Sequence, residues 1–511
     1  MLNSQFKLIY TLSGIKKLAG QTIWYGLSSI AARFIGYLLT PLLTYSSHIT
    51  KADFGKQALL YSAIPVLSVL FSYGFETAYF RFYSRPEYRK NVYSTAFISI
   101  FVSTLIFSFV LWQGQGFLGS ITSFSDMPQI VQIGIAIVAI DALSVIPFAR
   151  LRQEERPLKY AFVKVSGILV NLSMVWFFVN YCPAQVTKNP DSWVTTVFDM
   201  KTNPIVYVVL ANLTQSIITL LLLGKELTQV KFSFDAKLWK EMMVFALPML
   251  IVGLGGIINE TFDRLMLKAW LPGTELYRDE QVGIYSACYK ISILITLFVQ
   301  AFKMGAEPFF FKQAEGQNPQ KVYARVMKFF VIVLTTMFLA VSLFLPIWSR
   351  LTGPEYRVGL HVVPILLVAN IFLGIYYNLT IWFKLTNKTL TGAYITLIGV
   401  FITLTLNYLL IPYISYTGSA IATMLCYGSM MVICYRWGQK VYPVPYATKK
   451  LIAYFAIVLL LFGVHRGIIY FVPQVWFSLV LGAVLTGAYL WFILLVERKE
   501  FQKLPVIGRY L

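Results

Sequence analysis

Apolar runs of about 20 residues recur roughly fourteen times along this chain, separated by short polar or charged turns. A hydrocarbon layer ~30 Å thick is crossed by an α-helix of that length, because the helix satisfies its backbone N–H and C=O groups internally. The expected fold is therefore all-α: a polytopic membrane protein of about 14 transmembrane helices. The runs are approximately 20–44, 55–80, 92–112, 128–149, 160–181, 204–224, 243–268, 283–310, 327–349, 359–383, 391–411, 418–435, 451–470 and 475–496. Composition agrees, since only 13% of the 511 residues are charged, against ~25% in a soluble domain. The basic N-terminus runs into a long apolar stretch without a small-residue cleavage pattern, which reads as a retained first span.

The formal net charge of +21 raises nucleic acid as a partner, but the Lys and Arg lie between apolar runs rich in Phe and Tyr, and that reading is set aside. With the N-terminus inside, about 29 of the 43 basic residues fall in cytoplasmic segments, concentrated at 81–90, 150–159 and 436–440. Net charge then divides as roughly +20 inside, +1 outside and 0 within the spans. This predicts both termini in the cytoplasm. Cys182, Cys288, Cys426 and Cys434 have no CxxC spacing, and His48, His361 and His465 are far apart, so neither a disulfide framework nor a metal is expected.

Two stretches begin alike. DFGKQALLYSAIPVLSVLFSYGFETAYFRF from Asp53 and QVGIYSACYKISILITLFVQAFKMGAEPFFFK from Gln281 align Gly55 with Gly283 and Tyr61 with Tyr289. After a three-residue slip, Glu76 meets Glu307, Phe80 meets Phe311 and Arg81 meets Lys312. The alignment relates the second span to the eighth, hence six spans to six, in the parallel-repeat manner of some transporters. The expected organisation is a six-helix bundle over 1–224, a cytoplasmic linker over 225–242, a second bundle over 243–440, and two further helices with a cytoplasmic tail over 441–511.

The segment FALPMLIVGLGGIINETFDRLMLKAW from Phe245, followed by QVGIYSACYK, resembles the polysaccharide biosynthesis transporters of the multidrug/oligosaccharidyl-lipid/polysaccharide exporter superfamily. The residues that carry the likeness are Leu247, Pro248, Asp263, Arg264, Gly283, Tyr285 and Ser286. A second segment over 384–423 is similar to the same family through Lys388, Thr389, Asn407, Ile411, Pro412, Gly418, Ala420, Ile421, Ala422 and Thr423. The resemblance implies a flippase of the bacterial inner membrane and not an enzyme. It would carry undecaprenyl-diphosphate-linked oligosaccharide to the outer leaflet by alternating access, for O-antigen, capsule or exopolysaccharide synthesis. Its implied partners are the lipid-linked substrate, membrane lipids and glycan polymerase machinery. A drug/cation antiporter and a peptidoglycan-precursor flippase of the same superfamily are the alternatives, the two extra spans favouring a lipid-linked substrate. A membrane glycan polymerase or ligase ranks below them, because the longest outer loop is about 22 residues and holds no His.

Charges inside spans mark the candidate site, since an ionised group in lipid requires a wet cavity or a partner. Arg33, Arg264 and Lys290 are the candidate substrate-binding residues; guanidinium offers a planar fork to diphosphate oxygens, and Arg33 equally suits an interhelical ion pair. Glu260 and Arg264, four apart, are expected to pair, leaving Asp263 for an outer loop. Lys303 and Glu307 share the same spacing. Asp141, mid-span with Ser144 as a hydrogen-bond donor, fits either ion coupling or a salt bridge. Glu76 and Lys164 lie nearer a span end, where snorkelling suffices. Pro248 with Gly253, Gly255 and Gly256 makes a plausible hinge, or a close-packing surface. The GLGG there sits in an apolar helix without a Walker lysine, so no ATP or other cofactor is expected.

Overall fold

The computed structural model describes residues 35–314, 318–386, 388 and 390–502. It is 84% helical and, among the described residues, has no strand. Among the described residues, twelve helices are long and apolar enough to cross a membrane. The elements used below are α1 (Leu39–Thr44), α2 (Lys51–Ser72), α3 (Phe75–Tyr83), α4 (Val92–Gln113), α5 (Pro128–Gln153), α6 (Pro157–Trp176), α7 (Pro204–Leu222) and α8 (Ala236–Thr261). They continue as α9 (Asp263–Trp270), α10 (Glu275–Gln313), α11 (Pro319–Ser342), α12 (Val363–Leu379), α13 (Leu390–Val441), α14 (Thr448–Phe471) and α15 (Val475–Val496).

Helix α13 is two helices joined at a kink, where Ile414 and Ser415 leave helical geometry. Pro412 stands just before it, so the ladder has already lost a donor there. The eleventh and twelfth expected spans are thus both present in this one element. Other boundaries differ for local reasons. The span expected over 243–268 starts earlier, at Ala236, because the Asp235 side chain caps the Leu238 N–H, and it breaks at Phe262, where α8 gives way to α9. The span expected over 327–349 starts at Pro319, the position a proline favours, and its first turns carry Lys321, Arg325 and Lys328 rather than apolar residues.

The chain divides into two compact units that interleave in sequence: 1–287, 300–305 and 396–422 form one, and 288–299, 306–395 and 423–511 the other. In the first, α2 opens with a reciprocal capping box between Thr50 and Asp53. It ends where Tyr73 and Gly74 both take positive φ, which redirects the chain into α3. Phe75, Tyr79 and Phe82 then pack with Val92, Ala96 and Ile100 of α4, Ile146 of α5 and Met242 of α8. Helices α6 and α7 approach closely at Gly167, where a Cβ would come 2.7 Å from the Thr219 hydroxyl. Small residues at such crossings let backbones pack tightly where no hydrophobic drive joins helices in lipid.

In the second unit, α14 and α15 are fixed to α11 by polar contacts. Glu497, just past α15, accepts hydrogen bonds from Lys328 Nζ at 2.5 Å, Lys450 Nζ at 2.7 Å and the Tyr454 hydroxyl at 2.6 Å. Deeper in the helices, the Thr335 and Tyr489 hydroxyls bond at 2.7 Å. All four cysteines are buried and unbridged.

Candidate substrate site

Within the first unit, α2, α3, α5, α6 and α7 enclose a cavity of about 450 Å³, within the size range of small-ligand sites. Its wall carries Glu76 from α3, Asp141 and Arg152 from α5, Lys164 from α6, and Gln215 and Thr219 from α7. Ser68, Ser144 and Tyr160 add hydroxyl groups to the lining. Two other clefts, of about 430 and 530 Å³, are lined almost wholly by apolar side chains. Four ionisable groups from three apolar helices therefore converge on one polar space, as charges within a membrane must.

Two of the charges are directly paired. Arg152 forms a salt bridge with Glu76, and its guanidinium stands 5.1 Å from the Phe80 ring centroid. Asp141 accepts a hydrogen bond from Ser216 and feels the field of Lys164, whose ammonium lies 4.4 Å from the Phe148 ring centroid. Each cation is thus held against an aromatic face, and Arg152 against a carboxylate as well. With two cations and two carboxylates the wall is formally neutral. It can accept a polar guest through its hydroxyl and amide groups, and an anionic one where a carboxylate gives way.

Past Tyr160 lies a second charged cluster. Glu226, 1% exposed, accepts from Arg156 at 2.8 Å and Lys159 at 2.6 Å. Arg150 pairs with Glu154 at 2.6 Å and stands 4.3 Å from the Tyr93 ring centroid. These contacts fold the basic 150–159 segment onto the unit, fixing Arg152 at the cavity wall.

The residues singled out from sequence are dispersed. Asp141 is the one that lines this cavity. Its hydrogen bond comes from Ser216, while Ser144, the expected donor, bonds the Ile140 carbonyl at 3.2 Å. That is the usual preference of a helical serine for the carbonyl one turn back. Arg264 bonds Asp263 Oδ1 at 2.9 Å and reaches Glu260 through that residue's backbone carbonyl at 3.4 Å. Asp263 is not left for an outer loop: it is buried, and its Oδ2 takes the Tyr285 hydroxyl at 2.6 Å. Glu260 is exposed, Lys290 is exposed on α10 and Lys303 is half-buried. Arg33 and the Glu307 side chain fall outside the described residues. Helix α8 runs unbroken through Pro248, Gly253, Gly255 and Gly256. A Cβ on Gly255 would come 2.9 Å from Thr396 Cγ2 and one on Gly253 3.2 Å from Val69 Cγ1, whereas Gly256 has open space.

Read from sequence, Glu76 and Lys164 are snorkelling groups at span ends and Arg152 belongs to a basic loop; the structure brings all three to the cavity wall. The signal that joins them is that Glu76, Asp141 and Lys164 are ionisable residues in spans consistent with one bundle.

Comparison with known proteins sets this unit in a family. A family model described as polysaccharide biosynthesis protein matches residues 18–314, more than half of the sequence. The chain belongs to this family. A second model, MatE, matches residues 274–409. Among curated proteins, none matches the sequence. Among solved structures, the lipid II flippase MurJ in an inward closed conformation superposes with a TM-score of 0.71 at 11% identity, over 93% of this chain and 99% of that one. An inward-facing multidrug resistance MATE family transporter of the MOP superfamily gives 0.61 at 13%, over 85% and 96%. A MOP superfamily transporter from Pyrococcus furiosus gives 0.59 at 13%, over 83% and 95%. At these identities the likeness is one of fold. This member of the polysaccharide biosynthesis family is a multi-pass membrane protein with the MOP-superfamily transporter fold.

Proposed function

We propose that the protein is a flippase that moves undecaprenyl-diphosphate-linked oligosaccharide units across the bacterial inner membrane by alternating access. The observation that carries this reading is that the polysaccharide biosynthesis match, residues 18–314, covers every residue of the polar cavity. A saccharide head offers many hydroxyl groups, which the Ser68, Ser144, Gln215 and Thr219 side chains can meet by hydrogen bonding. Its diphosphate requires cationic donors, and Lys164 and Arg152 are the nearest supply within the cavity. The basic collar at 81–90, 150–159 and 436–440 supports a cytoplasmic placement of that end and of both termini. It also supports attraction of anionic lipid heads there. The unit delivered to the outer leaflet would serve a glycan polymerase.

Reconstitution into vesicles tests the proposal. A fluorescent undecaprenyl-diphosphate oligosaccharide should exchange leaflets faster with the protein than in protein-free vesicles, and K164A should slow that exchange. Lipid II and a cationic drug serve as competing cargoes. Acceleration of lipid II alone, or drug-driven ion exchange without glycan movement, would overturn the assignment.

A further inference from the structure

At the end of the first unit opposite the basic 150–159 segment, the chain builds a rack of aromatic rings. Helix α6 is 20 residues long, about 30 Å, so Trp176 at its close lies a hydrocarbon thickness away from Pro157. A π-helical turn, Phe177–Tyr181, continues it, and a short helix, Cys182–Lys188, follows. Such turns are rare and are found disproportionately at functional sites. Within this one the Phe177 and Tyr181 rings are nearly parallel, with centroids 5.5 Å apart and 20° between their planes. Trp193, which opens a 3-10 turn ending at Thr196, returns to lie over Phe177 at 6.1 Å and 28°. Trp176 meets Tyr181 at 5.9 Å and 30°. Four rings thus stand in series with a tryptophan at each end, Trp193 61% exposed and Trp176 52% exposed.

Packing beneath the rack fixes it in place. Cys182, Val194 and Phe198 are buried, and Phe178 stacks on Tyr207 at 5.0 Å and 15°. The Tyr207 hydroxyl accepts from the Asp199 N–H at 2.8 Å, and Asn203 donates to Asp53 Oδ1 at 3.0 Å. The Thr195 and Thr196 hydroxyls bond the Ser192 and Trp193 carbonyls at 2.8 and 2.7 Å. A surface ordered in advance spares a ligand the cost of ordering it. The two end tryptophans differ in setting. Trp176 closes an apolar span, where an interfacial belt residue belongs. Trp193 stands in a polar segment with Asn189, Asp191, Ser192, Thr195 and Thr196, and Asp191 is exposed two residues before it. An open indole face beside a carboxylate suits a ring that presents both C–H bonds and hydroxyls. A sugar does so: its C–H bonds carry the partial positive charge that the negative aromatic face attracts, and its hydroxyls donate to carboxylate oxygens.

We propose that Trp193, backed by Phe177, is a saccharide-binding platform on the outer face, which takes up the glycan of the lipid-linked cargo while Asp191 accepts hydrogen bonds from its hydroxyls. The inference rests on the flippase reading for its cargo and for its outer placement. It assigns a second contact with that cargo, unlike the first in chemistry. Lys188 and Lys201 balance Asp191 and Asp199 over residues 182–203, so this segment has no net charge to draw a diphosphate. What it offers is aromatic area, and the part of the cargo that aromatic area recognises is the sugar.

Fluorine NMR of full-length protein in nanodiscs, labelled with fluorotryptophan, tests it, the resonance missing from W193F being that of Trp193. Three water-soluble probes are titrated: the free oligosaccharide of the vesicle-assay cargo, maltotriose and an N-acetylglucosamine trimer. At least one should shift the Trp193 resonance saturably, while Trp382, 4% exposed in the second unit, should not move. Glycerophosphoglycerol, the head of an anionic lipid, should leave Trp193 unshifted. D191A should raise the apparent Kd roughly 2- to 10-fold, the scale of one hydrogen bond, without moving the unliganded resonance. Read from the sugar side, W193L should abolish saturation transfer to the sugar C–H protons and W193F should restore part of it. No saccharide shift at Trp193, or an equal shift with glycerophosphoglycerol, overturns the platform. Saccharide binding at Trp193 without glycan exchange in vesicles leaves the platform standing and removes the cargo assignment; exchange without binding at Trp193 does the reverse.

Discussion

The attachment of the α14–α15 hairpin provides a prediction whose size can be worked out. Glu497 is 2% exposed. Burial alone would raise its pKa, but the hydrogen bonds from Lys328, Lys450 and Tyr454 outweigh that effect and hold the carboxyl down to about 2, from an ordinary 4.5. At ~1.4 kcal/mol per tenfold change in proton affinity, that difference corresponds to ~3 kcal/mol of preference for the attached hairpin. Lys450 is 50% exposed, so solvent screening reduces the figure to ~2 kcal/mol. A depressed carboxylate stabilises above its ordinary pKa and stops doing so as pH falls through the folded value. The contribution is therefore complete above about pH 5 and is lost progressively toward about pH 2. E497Q should lower the thermal midpoint of protein in nanodiscs at neutral pH and expose the 441–447 connection to protease. The gap between variant and parent should narrow as the pH falls below about 4.5 and close only toward about pH 2. K328M should cost less in the E497Q background than alone, because the two side chains share one contact. Equal stability of E497Q and parent at neutral pH, or a deficit that does not change with pH, would refute the reasoning.

The Y489F substitution removes a 2.7 Å bond to Thr335 in the same hairpin. It should cost ~1 kcal/mol in thermal unfolding, with no added loss in the T335V background. In the cavity, K164Q should weaken binding of a soluble diphosphate-linked glycan head by roughly 10-fold or more, read by calorimetry, while D141N should preserve or tighten it. For sidedness, a cysteine at Gln153 should be shielded from an impermeant outside reagent in intact cells and one at Pro190 should react; the opposite pattern would invert the proposed topology.

Element existence is legible in the sequence because the bilayer imposes one length and one hydropathy on every span. The paired spans within α13 illustrate this: Pro412 and the apolar runs on either side of it mark the kink near Ile414. Ends are less legible. The start of α8 depends on the Asp235 cap and lies in a polar stretch that hydropathy assigns to a loop. Nor does the i, i+4 spacing of Glu260 and Arg264 reveal that Arg264 pairs with the adjacent Asp263 carboxylate. The cavity is least legible. Residues 76, 141, 152 and 164 meet through the packing of several helices, and nothing in their spacing records that packing. Gly55 and Gly283 form the opposite case, since a repeat preserves positions where only glycine fits, and those two positions meet in space.

The charge distribution then takes on a more specific meaning. A surplus of +21 over the chain does not produce a cationic cavity, because Arg152 and Lys164 face Glu76 and Asp141. The surplus lies in the collar, where Arg156 and Lys159 are committed to the buried Glu226 while many other Lys and Arg remain exposed. Under the proposed function these are two separate tasks. The collar concentrates anionic lipid heads at the membrane surface through a field that solvent screens within ~10 Å. The cavity would then recognise a head by local exchange, a phosphate oxygen taking the place of the Glu76 carboxylate on Arg152 and approaching Lys164 directly. Such an exchange leaves a displaced carboxylate without its cation in a low-dielectric space, which is unfavourable unless it gains a proton or a metal cation. Under the proposed function, substrate entry and ion uptake would therefore be linked through Glu76.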